Sequence, residues 1–492
     1  MPGLAPGAAA PHYRGMSGIP QPSPYRPDPV IQGIAGWIAD PVRPADFPQA
    51  ITRFRNQRWA EAVGLGDLDA DGWTRHFARF EPLADNLPQP LALRYHGHQF
   101  RTYNPEIGDG RGFLYAQLHG GNGRLLDLGT KGSGQTPWSR FGDGRLTLKG
   151  AVREVLATEQ LEALGVYTSK TFSVVETGEQ LDRNDEPSPT RSAVLVRLSH
   201  GHIRIGSFQR LAALEEHDHL AMLTDYALAQ YPGPPPPEDA PDRDLPPVRL
   251  LHLVVERLAD MAAAFASAGF VHGVLNTDNM NISGESFDYG PWRFLPRWDP
   301  AFTAAYFDHS GLYAFGRQAE AIHWNCAQLA IALRPICEAP PLVAALERFP
   351  ELYTAAVRRR FGWRLGVDAI WTATHPDDAG AVVEAAERGM RESGMQPDRF
   401  LFAARQGSLS GTGAVEDFTR LLADVPRVTD THEYWQGDTP QSMVIEEMEA
   451  VWSGIDRNDD WTGFNAAVAA QRRMGDAHGP APVGYPAAAG QM

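Results

Sequence analysis

The chain changes character at a proline-rich break, GPPPPEDAPDRDLPP (residues 233–247). Upstream, short apolar runs alternate with glycine-rich turns. Phe113–Leu118 and Arg124–Leu128 flank the turn HGGNG and predict a hairpin, and Ala193–Leu198 reads as a further strand. One helix is expected there, over Leu148–Leu164, where apolar residues recur at helical spacing and Gly165 supplies the stop. From Leu250 onward the pattern is mostly helical, apart from residues 271–290. Strands with one helix, followed by a helical half, predict an α+β chain in which a small β-rich lobe feeds a larger α-rich one. No period of 20–50 residues suggests a repeat array.

The boundaries expected from this pattern are an N-terminal extension over 1–85, partly disordered, and a β-rich lobe over 86–248 with the proline-rich insertion. A helical lobe over 249–475 and a disordered Ala/Gly/Pro tail over 476–492 follow. Forty-four Lys and Arg against 60 Asp and Glu leave a formal charge of -16. A chain this acidic is poorly suited to gripping a nucleic-acid backbone through counterion release, so no nucleic-acid partner is expected. No run approaches a membrane span and the first residues lack a signal-peptide pattern, so the expectation is cytoplasmic, without membrane attachment. Cys326 and Cys337, in HWNCAQLAIALRPIC, read as two buried thiols on an apolar helix.

Four clusters carry chemistry. Gly108-Asp-Gly-Arg111 precedes the first hairpin strand, and glycine amides with an arginine can hold a phosphate. Lys131 follows the second strand in GTKGSGQT, where the spacing fails the Walker pattern. It reads instead as a strand-end lysine directed at phosphates and held by a helix carboxylate, with Glu154, Glu159 and Glu162 all open as partners. Arg197 and Arg204 bracket the turn SHGH and can converge on one phosphate. The most specific cluster is Val271-His-Gly-Val-Leu-Asn-Thr-Asp-Asn279 followed by Asp288-Tyr-Gly290. Protein kinases carry His-Arg-Asp with an Asn five residues later, then an Asp-Phe-Gly whose Asp holds magnesium. His272 keeps the kinase offset to Asn279, but Val274 occupies the place of the kinase base and a carboxylate reappears at Asp278. The oxygen ligands of Asn279 and Asp288 suit Mg²⁺, with Mn²⁺ as an alternative ion. The histidine pairs 96/98, 200/202 and 217/219 complete no four-ligand set, so no zinc site is expected.

Taken in order, YHGHQF (95–100), GDGR (108–111), KGSGQTPWSRFGDGR (131–145), RLSHGHIRIGSF (197–208) and HGVLNTDNMNISGESFDYGP (272–291) resemble the selenoprotein-O family of kinase-fold protein AMPylating enzymes. The resemblance covers roughly residues 90–330. It implies ATP as substrate, bound in a flipped orientation, with AMP passed to Ser, Thr or Tyr hydroxyls of proteins and pyrophosphate released. It further implies that Lys131 pairs with Glu154, that Gly108, Gly110, Arg111, Asp143 and Gly144 line the nucleotide pocket, and that Arg197 and Arg204 bind the phosphates. Asn279 and Asp288 are implied as metal ligands, Asp288 also touching ATP, and Asp278 as proton acceptor. Trp138 stands where the family is associated with Tyr, and the C-terminal selenocysteine or cysteine of some members is absent from this tail. Two other readings share these residues: conventional transfer of the γ-phosphate, weakened by Val274, and a catalytically silent nucleotide-sensing scaffold, weakened by the complete set of Lys131, Asn279 and Asp288.

Overall fold

A computed structural model describes residues 21–184 and 186–482. The chain is mixed α/β, built on an antiparallel sheet with most of its helices after residue 245. The strands are β1 (Ala39–Pro41), β2 (Ile51–Arg55), β3 (Leu91–Leu93), β4 (Gly97–Gln99), β5 (Thr102–Asn104), β6 (Leu114–His119), β7 (Leu125–Lys131), β8 (Leu146–Thr147), β9 (Lys170–Leu181) and β10 (Thr190–Ser199). The main sheet runs β1-β3-β6-β7-β10-β9-β2, with β8 paired to β10, while β4 and β5 form a separate hairpin.

The predicted hairpin is β6–β7, and the predicted strand lies within β10. The segment before residue 86, expected as an extension, supplies β1 and β2 and covers one face of the sheet. Trp73, Phe77 and Phe80 pack there against Phe172, Val194 and Val196. Burying rings of this size removes apolar area worth about 1.5–3 kcal/mol each, which is why this layer is continuous with the sheet.

The other face receives the helix Leu148–Ala163. Thr147 caps it, its hydroxyl accepting from Gly150 N at 3.1 Å, and the chain leaves through Gly165 at φ 75°. Helix Thr462–His478 supports this helix from outside: Gln471 Nε2 donates to Leu156 O at 3.0 Å, and Arg472 pairs with Glu159 at 2.7 Å. That helix runs past residue 476, where the sequence predicts a tail; residues 483–492 and 1–20 lie outside those described.

The helical part is organised around Pro246–Ser267, which begins directly at the end of the proline-rich break. It packs against helices Gln318–Leu333 and Phe349–Leu365. Cys326 is buried in Gln318–Leu333, whereas Cys337 lies beyond that helix and is only half-buried; both thiols are free. After the central helix come β11 (Phe270–Val271) and β12 (Arg293–Phe294), which pair with each other and close off the loop 272–292. No helix among the described residues is long and apolar enough to cross a membrane.

Candidate active site

Strand pairing brings the first two site residues together. Leu195 stands opposite Lys131 and Arg197 opposite Gly129, and directly opposed residues share a face. Lys131 and Arg197 therefore emerge on the side covered by helix Leu148–Ala163. Nearly two turns into that helix, Glu154 meets Lys131, with Nζ–Oε2 at 2.5 Å. The competing carboxylates are engaged elsewhere: Glu159 with Arg472 and Arg58, Glu162 with Arg58 and Trp59.

The loop 272–292 brings the second half of the site. His272 links its two arms: Nε2 donates to Phe287 O at 3.0 Å, while Nδ1 accepts from Val274 N at 3.4 Å. Burial lowers the histidine pKa and keeps this ring neutral, as that pattern requires. Helix Gln318–Leu333 steadies the same loop, because Gln318 Oε1 accepts from His272 N at 3.0 Å and Asn325 Nδ2 donates to Leu275 O at 2.8 Å. Asp288 adopts a left-handed φ of 62°, an uncommon conformation for a non-glycine residue, held where its carboxylate meets Lys131 at 2.7 Å. Arg197 Nη1 lies 3.7 Å from Glu154 and 3.8 Å from Asp288. Two cations and two carboxylates thus form one compact cluster.

Burial alone raises the Asp288 pKa, but Lys131, Arg197, Arg111 and Arg204 override it and hold the carboxyl well below the usual range. Asp278 behaves oppositely: burial pushes it up to about 6 against the pull of Arg204. Asp278 Oδ1 is buried with no hydrogen-bond partner among the described residues. Asn279 spends its Nδ2 on Val274 O at 2.9 Å, leaving the amide oxygen available. The ionised Asp288 carboxylate and the free amide oxygen of Asn279 are hard-oxygen donors of the kind that suit Mg²⁺ and Mn²⁺, while the unsatisfied Asp278 oxygen stands beside them.

A cavity of about 720 Å³ opens beside this cluster. It is lined by Gly108, Gly110, Arg111, Lys131, Asp143, Gly144, Arg197, Arg204, Asp278 and Asp288, so ten sequence-predicted residues share one cavity. Glu154 stands behind Lys131, and Asn279 lies beside Asp278. Arg204 is fixed by Asp278 O at 2.9 Å and Asp109 Oδ1 at 3.0 Å, and lies 4.4 Å over the Tyr95 ring. Arg197 and Arg204 also converge on Phe287, at 5.2 and 4.8 Å from the ring centre. Nε and Nη1 of Arg197 and Nε of Arg204 are buried without an acceptor among the described residues. Unsatisfied guanidinium donors of this kind fit an anionic ligand.

Asp109, Tyr95 and Phe287 were not singled out by the sequence. A signal existed for each, since Asp109 lies inside Gly108-Asp-Gly-Arg111, Tyr95 opens YHGHQF and Phe287 directly precedes Asp288-Tyr-Gly290. The two glycines of that motif answer to packing as well as to anion approach. A Cβ at Gly108 would sit 2.5 Å from the Trp138 ring and one at Gly110 would sit 2.8 Å from Trp138 O. The paired histidines are dispersed on separate partners, with His96 on Tyr103, His98 on Gln209, His200 on Tyr167 and His202 on Asp127. Among the described residues no group of three or more His, Cys, Asp or Glu is arranged to hold a metal ion.

A sheet-borne lysine–glutamate pair, convergent arginines and an oxygen donor set around one cavity define a nucleotide-dependent group-transfer protein. The chain matches the family model described as protein adenylyltransferase SelO over residues 28–436, and it belongs to that family of nucleotidyltransferases. The match extends well beyond the 90–330 that the sequence motifs cover. Relatives named protein nucleotidyltransferase YdiU include one from Synechocystis sp., 46% identical over 344 residues, covering 70% of this chain and 71% of the relative. Those from Trichodesmium erythraeum and Gloeobacter violaceus are 40% and 42% identical over 468 residues, covering 89% and 91% of this chain and 96% and 95% of the relatives.

Proposed function

We propose that this protein transfers AMP from ATP to Ser, Thr or Tyr hydroxyls of other proteins and releases pyrophosphate. The sheet body (86–248) and the helical body (249–475) are read as the two lobes of a protein-kinase-like fold, with the segment before residue 86 completing the sheet. The observation that carries the reading is the carboxylate of Asp278 on the cavity wall, on a loop where Val274 offers none. Arg197, Arg204 and Lys131 form the deep cationic end of the cavity and hold the β- and γ-phosphates. The α-phosphorus then faces the Asp278 side. Asp278 accepts the proton of the incoming hydroxyl as its oxygen bonds to the α-phosphorus, and the bond to the bridging oxygen breaks with pyrophosphate as leaving group. Asn279 and Asp288 hold Mg²⁺, or Mn²⁺, which when bound offsets negative charge on the phosphates. Glu154 and Asp288 keep Lys131 extended into the cavity, so most of the rate comes from positioning and fixed charge.

The test is incubation of the full chain and an acceptor protein with ATP labelled separately at the α- and γ-phosphates. Retention of the α label on protein is expected. Retention of only the γ label would establish kinase chemistry instead.

A further inference from the structure

Three aromatic side chains line the cavity: Tyr95, Trp138 and Phe141. Two are already committed. Tyr95 lies under Arg204, and Trp138 packs on Gly108 while its Nε1 donates to Asp40 at 3.0 Å. Phe141 is different: the residue is fully exposed, at 106% of the reference area. Its apolar area stays in water until a ligand ring covers it, and that covering is favourable.

The backbone around Phe141 is nonetheless fixed. Gly142 N donates to Ser139 O at 2.7 Å, Gln135 Nε2 donates to Gly142 O at 2.8 Å, and Ser139 Oγ donates to Gly110 O at 2.5 Å. Arg140 takes a left-handed φ of 52° to make the turn. Beyond Phe141, Asp143 is gripped through both carboxylate oxygens by Arg183, at 2.9 and 3.2 Å, which ties the loop to the β9–β10 connection. A pinned turn thus presents one fully exposed aromatic ring on a cavity whose buried lining includes Lys131, Arg197 and Arg204.

We infer that Phe141 is the base-stacking residue of the nucleotide site, covering the face of the adenine while the triphosphate occupies the cationic end. This rests on the reading that the cavity binds ATP. A triphosphate held at the buried Lys131, Arg197 and Arg204 sends the nucleoside toward the exposed side, and there Phe141 is the fully exposed cavity-lining aromatic. Stacking on a planar base is sequence-tolerant, so the ring contributes affinity for nucleotides in general more than choice among bases.

The experiment is calorimetric titration of the full chain with Mg·ATP and, separately, with Mg·tripolyphosphate, which has the phosphates without the base. Phe141→Ala is expected to weaken ATP about tenfold and to leave tripolyphosphate within about twofold, while Phe141→Trp recovers the ATP affinity. The inference is overturned if Phe141→Ala binds ATP as wild type does, if both ligands weaken equally, or if Phe141→Trp recovers nothing. Failure of the wild-type chain to bind ATP at all would overturn the underlying functional reading instead.

Discussion

Glu285 gives a quantitative test of how the loop behind the site is held. Its side chain is buried, and Oε2 accepts from His200 N at 2.7 Å. Burial pushes its pKa from 4.5 up to about 7, against the attraction of Lys170. In the unfolded chain the carboxyl ionises near 4.5, whereas the folded chain keeps the proton until about pH 7. Folding therefore takes up a proton between these values, and the contribution of Glu285 to stability falls as pH rises through that window and is flat above it. The full gap corresponds to about 3 kcal/mol, and the part lying between pH 5 and 8 to about 2.5 kcal/mol. Glu285→Gln retains an acceptor for His200 N but cannot ionise. The offset between variant and wild type depends on the lost attraction to Lys170, but its change with pH does not. Urea unfolding of both proteins at pH 5 and pH 8, followed by tryptophan fluorescence without nucleotide or metal, should show the variant gaining about 2.5 kcal/mol relative to wild type. An offset that stays constant within about 0.5 kcal/mol, below half a pKa unit, would refute the assignment of a protonated Glu285 in the folded chain.

Three further outcomes follow from the site. Asp288→Ala removes the ionised carboxylate of the donor set and should abolish Mg²⁺-dependent ATP binding; unchanged Mg·ATP affinity by calorimetry rules that role out. Asp278→Ala should lower turnover about 10²–10⁴-fold with Mg·ATP affinity close to wild type, and Val274→Asp should not rescue it; rescue would restore the kinase orientation. Glu154→Gln leaves Lys131 with Asp288 alone, and α-label transfer should drop at least about tenfold, the scale of a charged hydrogen bond, with the circular dichroism spectrum unchanged. Wild-type transfer would remove Glu154 from the site's support.

Local signals reached some of this architecture and not the rest. Alternation and turns exposed β6, β7 and β10, and a capped periodic run exposed helix Leu148–Ala163. Lys131 was legible because a lysine ending an apolar strand is unusual, and Asn279 and Asp288 because their spacing is fixed by a short loop. Periodicity did not choose among Glu154, Glu159 and Glu162, and the family resemblance alone pointed to Glu154, since the choice depends on Arg58 and on Arg472, which pairs with Glu159 across 313 residues. β1 and β2 were missed for the same reason: they are three and five residues long and gain their identity from the partners they pair with. Phe287 lies inside the 272–291 motif, but its contact with two guanidinium groups is set by the tertiary fold and was not legible.

The brace formed by helix Thr462–His478 has a consequence for biogenesis. During synthesis, the cavity-lining residues emerge from the ribosome long before the element that braces the Glu154 helix, with Leu156 and Gln471 separated by 315 residues. A nascent chain, or one cut short before Thr462, carries every side chain of the cavity but leaves the outer flank of that helix bare. The helix that carries Glu154, and with it the Lys131 anchor, then lacks the contacts at Leu156 and Glu159.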